Sequence, residues 1–120
     1  MKKRPDKRPP LHTELVELTG WPLDRTASFP RSHRHTFGCR LDNLCLDAIE
    51  DVTRARYAPK AETAAPLDAL NLRLELMRVL WRLVEERGWI APRQLFHVNG
   101  RIDTAGRMAG AWRKALGPGA

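Results

Sequence analysis

The sequence predicts an all-α protein, an antiparallel four-helix bundle. Three observations carry that expectation. Apolar residues recur at three- and four-residue steps through each long segment. No stretch alternates polar and apolar residues as a half-buried strand does. Glycine and proline punctuate the chain where such helices would end. With 120 residues and 42% hydrophobic side chains, a single domain with a modest core of Leu, Val, Ile and Ala is expected.

Residues 1–10, MKKRPDKRPP, have no apolar periodicity and three prolines, which predicts a disordered basic arm. The bundle is expected over residues 11–116, with 117–120 a frayed tail. In the first helical region, Leu11 to Phe29, Leu11, Leu15 and Leu18 share a face. Gly20-Trp21-Pro22 interrupts the pattern, leaving open one kinked helix or two short ones.

A second helix is expected from Arg31 to Tyr57, opened by Pro30. Leu41, Leu44, Cys45, Ala48, Ile49, Val52 and Ala55 form its apolar face. Asp47, Glu50 and Asp51 are expected on the face left to solvent. Ala58-Pro59 stops this helix, and residues 58–66 connect it to the next.

The third helix spans about Leu67 to Arg87, with Leu67, Leu70, Leu74, Met77, Trp81 and Val84 on one stripe. Leu72, Leu76, Val79, Leu80 and Leu83 widen the apolar surface well beyond one face. A helix apolar around its girth needs more than one partner, so a homo-oligomer is expected. Gly88 ends it. Ala91-Pro92 opens the fourth helix, with Leu95, Val98, Ile102, Ala105, Ala109, Trp112 and Leu116 periodic. Gly106 and Gly110, one turn apart, would permit close approach of a neighbouring helix.

The formal net charge is +7, and it is unevenly spread: residues 1–10 carry +4, 31–40 carry +3 and 92–120 carry +4. Clustering of this kind favours a polyanionic partner. The candidate contacts are Arg31, Arg34, His35 and Arg40 at the entry to the second helix, then Arg101, Arg107, Arg113 and Lys114 on the fourth. Arginine offers planar donors suited to phosphate oxygens. Two alternatives stay open: the fourth-helix cations could pair with acids of neighbouring helices, and Arg34 or Arg40 could be a strut to Asp68 or Glu75.

Catalysis finds little support, since the chain has no phosphate-binding glycine loop, HExxH, nucleophile elbow or CxxC. Arg93 and His97 resemble the Arg/His pair of small helical ribonucleases only faintly, with three residues between them. His33, His35 and Cys39 lack the paired ligands of a structural zinc site, so neither a metal nor another cofactor is expected. Cys39 and Cys45 fall on different faces of one helix, so no intrachain disulfide is expected, which fits a reducing, cytoplasmic setting. No apolar run approaches membrane-spanning length.

The blocks PRSHRHTFGCRLDNLCLDAIEDVTRARY, LNLRLELMRVLWRLVEERGWI and GRIDTAGRMAGAWRK resemble the accessory variability determinant (Avd) proteins of diversity-generating retroelements. These belong to the bacterial four-helix-bundle group that includes proteins encoded by intervening sequences of 23S ribosomal RNA genes. The resemblance covers residues 14–115. Its most specific parts are Phe29 to Leu41 and Gly106 to Lys114. It implies a protomer assembled into a ring, typically a pentamer, that partners a retroelement reverse transcriptase and its template RNA; the clustered arginines by themselves add DNA as a further polyanion. It also marks Pro30, Gly38, Leu41, Arg73, Gly106, Gly110 and Trp112 as structural positions. Two rivals remain at this stage: an intervening-sequence-type protein that binds ribosomal or other RNA without a reverse transcriptase, and a small helical nuclease.

Overall fold

The computed structural model describes residues 10–117. The basic arm therefore lies outside the described residues except for Pro10, which starts the first helix. The expected frayed tail lies outside them too, apart from Gly117. Five α-helices follow in order: α1 (Pro10–Thr26), α2 (Arg31–His33), α3 (Cys39–Tyr57), α4 (Ala64–Glu86) and α5 (Pro92–Ala115). A π-helical turn, Arg34–Gly38, joins α2 to α3, and a 3-10 turn, Lys60–Glu62, precedes α4. Among the described residues there is no strand.

The four long helices run up, down, up and down around one core. α1 packs against α3 and α5, and α4 packs against the same two. α1 and α4 are thus diagonal, meeting across the core where Trp21 and Trp81 make an edge contact at 5.2 Å between ring centroids. Polar contacts fix the antiparallel registers. Thr26 Oγ1 donates to the Asp42 carboxylate at 2.9 Å, Arg73 Nε donates to Asp51 at 2.5 Å, and Arg78 reaches Asp103. Leu15, Leu18, Leu41, Leu44, Val52, Leu67, Leu70, Leu74, Met77, Trp81 and Ile102 are fully buried. Ala48, Ala105 and Ala109 are also fully buried, and their small side chains let α3 and α5 sit close to the centre.

Pro22 does not break the first helix. α1 runs through it to Thr26, and the proline ring is buried. One turn before the proline, the Thr19 hydroxyl donates back to the Leu15 carbonyl at 2.8 Å.

The expected continuous helix from Arg31 to Tyr57 is interrupted. The Cys39 N–H reaches the Arg34 carbonyl, five residues back, which is the signature of a π-turn. The extra residue reconciles two demands. Phe29, His33 and Phe37 must meet Trp89, while Leu41 and Leu44 must enter the core. Gly38 is buried in the turn, and a Cβ there would lie 3.6 Å from Thr26 Cβ.

Asp51 corrects the expectation of a solvated acidic face. It is 4% exposed and bound by Arg73, which also reaches Asp47 at 3.4 Å. The periodicity hid this because Asp51 lies between the core face and the α4 side. Within the protomer Gly106 and Gly110 have open surroundings. A Cβ at Gly106 would meet only the Arg78 guanidinium at 3.7 Å, and one at Gly110 would meet nothing within 4 Å. No neighbouring backbone of the same chain comes close to either.

Candidate nucleic-acid and partner interface

One end of the bundle is built from aromatic rings. At the α4 C-terminus Gly88 takes φ +77°, which lets the Trp89 N–H reach back to the Val84 carbonyl at 3.1 Å. Trp89 is thereby turned under the segment between α1 and α3. Its ring lies 4.7 Å from His33, 5.5 Å from Phe29 and 5.5 Å from Phe37. Phe29 in turn touches Trp81 at 6.0 Å, and Trp21 lies 5.6 Å from His97. Each such ring pair contributes roughly 0.5–1.5 kcal/mol beyond area burial, so the π-turn is held from below by a stack of rings.

Cations ring this platform. Arg34 Nε donates to the Phe29 carbonyl at 2.9 Å, which fixes the side chain and leaves its terminal nitrogens unengaged. Arg31, His35 and Arg40 are exposed and have no acidic partner among the described residues. Arg87 lies over Phe37 and Trp89 at 6.0 and 5.7 Å, and Arg25 lies over Trp21 at 5.0 Å. Arg93, at the start of α5, is exposed and likewise without an acid. The strut alternative for Arg34 and Arg40 is not realised: Asp68 takes Arg113 and Glu75 takes Arg78.

The fourth-helix candidates are arranged differently. Arg101 donates to Glu14 at 3.1 Å and Glu17 at 3.2 Å, and these carboxylates raise its pKa further. Arg113 binds Asp68 at 3.2 Å. Arg107 finds only the Thr104 hydroxyl, at 3.4 Å, and Lys114 is exposed without an acidic partner. α5 has 24 residues, about 36 Å of helix at 1.5 Å per residue. Arg113 and Lys114 therefore sit at the opposite end from Arg31, Arg34, His35 and Arg40. The two candidate groups do not form one surface.

The structural candidates divide as well. Pro30 opens α2 from an exposed position, Leu41 is 0% exposed, and Arg73 binds the buried Asp51. Burial lifts the Asp51 carboxyl above its ordinary range against the pull of Arg73. Trp112 is half-buried and, with Met108, lines an apolar recess beside Pro10 and Leu11. Burial pushes the Cys45 thiol up to about 12, with Asp42 adding to the rise and Thr19 opposing it. Among the described residues no three His, Cys, Asp or Glu side chains converge as metal ligands. No helix among them is long and apolar enough to cross a membrane.

Sequence reasoning missed the aromatic support. Phe29, His33 and Phe37 recur at four-residue steps, and Trp89 follows the helix-ending Gly88. The first was hidden by the basic residues around it. The second lies about fifty positions away.

No curated protein and no solved structure matches the chain. The family model described as bAvd-like matches residues 12–116, the span from the first turn of α1 to the end of α5. The chain belongs to the bAvd-like family.

Proposed function

We propose that this chain is a non-enzymatic accessory subunit of a diversity-generating retroelement. It assembles as a ring-shaped homo-oligomer, a pentamer, in the cytoplasm. It binds the retroelement reverse transcriptase and template RNA or DNA through a basic surface, and so supports mutagenic cDNA synthesis. The observation that carries the reading, beside membership of the family, is the set of unpaired arginines on the aromatic end. Arg31, Arg34 and Arg40 flank the ring-supported π-turn and have no acidic partner among the described residues. Positive charge held without internal counter-charge is suited to phosphates or to an acidic protein surface. Arg101 and Arg113, already neutralised by acids, contribute less.

The test is co-purification with the reverse transcriptase and gel-shift titration of template RNA, each with wild type and with Arg31→Ala/Arg34→Ala/Arg40→Ala. Loss of both interactions in the triple variant, with an unchanged melt, supports the assignment. Full retention of both sinks it.

A further inference from the structure

We propose that the start of α5 carries a stacking site for an unpaired nucleobase, with Phe96 as its platform. The proposal rests on the nucleic-acid part of the proposed function. It adds what an arginine cluster alone does not give, a preference for single strands over duplex.

Phe96 is 84% exposed, more than any other large apolar side chain among the described residues. Its ring meets none of the rings that hold the aromatic end together. A lone exposed apolar residue is ordinary; the surroundings are what set this one apart. One turn further along the same face is Gly100, where a Cβ would meet nothing within 4 Å. A glycine inside a helix is destabilising relative to alanine, and packing within the chain does not require this one. Its missing side chain leaves an open recess beside the ring, lined also by Glu14, His97, Arg101 and Thr104. A planar group can lie against Phe96 over the bare turn at Gly100.

The charges around the ring favour a nucleotide over an apolar peptide. Arg93 and Arg107 lie on the same stripe of α5, three residues before Phe96 and eleven after it, and both are exposed. Arg93 has no acidic partner among the described residues, and Arg107 reaches only the Thr104 hydroxyl, at 3.4 Å. The neighbouring acids are already engaged, Glu14 and Glu17 by Arg101 and Asp103 by Arg78. An aromatic face between two unneutralised guanidinium groups matches the base and phosphates of a single strand. In a duplex each interior base is stacked on both sides, so the same ring finds no free face there. Arg93 also starts α5 at the end of the bundle that carries Arg31, Arg34 and Arg40, so a strand held there by its phosphates has a route onto Phe96.

The experiment compares the full wild-type chain with Phe96→Ala, Phe96→Tyr and Arg31→Ala/Arg34→Ala/Arg40→Ala. The probes are an oligothymidine carrying one 2-aminopurine and a DNA duplex of equal length. Phe96 is exposed, so Phe96→Ala should melt as wild type does. It should bind the single strand about five- to a hundredfold more weakly, the weight of one stacked base, with duplex affinity unchanged. Phe96→Tyr keeps the ring and should bind both probes as wild type does. The 2-aminopurine fluorescence, which falls when that base stacks, should drop on binding to wild type and Phe96→Tyr but not to Phe96→Ala. Equal loss on both probes, or loss on neither, overturns the stacking site. A Phe96→Ala chain of altered oligomeric mass overturns it too, by assigning the ring to a contact between copies. In each of these cases the reading of the arginines stands if the triple variant loses both probes. A triple variant that binds both probes as wild type does overturns that reading, whatever Phe96→Ala shows, and a wild type that binds neither probe overturns both.

Discussion

At the scale of single residues, burial decides which charges matter. Arg73 and Asp51 form a pair in which the carboxylate is buried and the guanidinium reaches it at 2.5 Å. Removing the cation strands a buried charge, which costs about 3 kcal/mol. Arg73→Ala should therefore lower the melting temperature by about 10 °C. Arg54→Ala, which breaks only an exposed pair with Glu50, should change stability by no more than about 0.5 kcal/mol. Calorimetry on both variants checks the contrast, and equal effects would show that Asp51 is not the strut.

The same carboxyl sets a pH dependence. Its folded pKa lies above the ordinary value of 3.8 because it is desolvated, so the folded state holds the proton more tightly than the unfolded chain. That contribution is full below the ordinary value and is lost as pH rises through the lifted one. Asp51→Asn cannot titrate. The stability of wild type relative to Asp51→Asn should thus be greatest at low pH and fall across this window in a series of melts. A relative stability that rises with pH would contradict the desolvated assignment.

At the scale of elements, the aromatic platform is what turns a basic sequence into an oriented surface. Trp89 touches Phe29, His33 and Phe37 but carries no charge itself. Trp89→Ala should release the π-turn, speed amide exchange over residues 31–38, and weaken RNA binding although every arginine remains. Unchanged exchange with unchanged binding would mean that the rings only fill space. The helices themselves were legible in the sequence, because a 3.6-residue period survives wherever one face is buried; the end of α4 and the start of α5 follow from Gly88 and Pro92, while α4 starts at Ala64, ahead of the expected Leu67. The π-turn was not. Its cause is a contact between residues 33 and 89, and a local pattern cannot report a demand made by another element. Pro22 was ambiguous for a related reason. Proline's intrinsic cost argues for a break, and only packing of its ring into the core shows why the helix continues. The Arg31, Arg34 and Arg40 cluster was visible as charge, but its separation from Arg113 and Lys114 needed the direction of α5.

At the scale of the whole molecule, net charge and effective charge differ. Several arginines are neutralised in place: Arg73 by Asp51 and Asp47, Arg78 by Glu75 and Asp103, Arg101 by Glu14 and Glu17, and Arg113 by Asp68. Among the described residues, the arginines left unpaired are concentrated near the aromatic end, so this part of the bundle presents an electrostatic pole rather than a uniform coat. Each phosphate neutralised by a protein cation contributes about 0.9 to the slope of log K against log salt for duplex DNA. Replacing Arg31, Arg34 and Arg40 with Ala should flatten that slope by roughly two to three. Replacing Arg101 and Arg113 should change it by well under one, because each would first have to leave its carboxylate. The comparison is made by titrating one DNA duplex at several salt concentrations with the wild type and both sets of variants. Equal flattening by the two sets would mean that the internal ion pairs open on binding, and that the polyanion runs along α5 instead of across the end of the bundle.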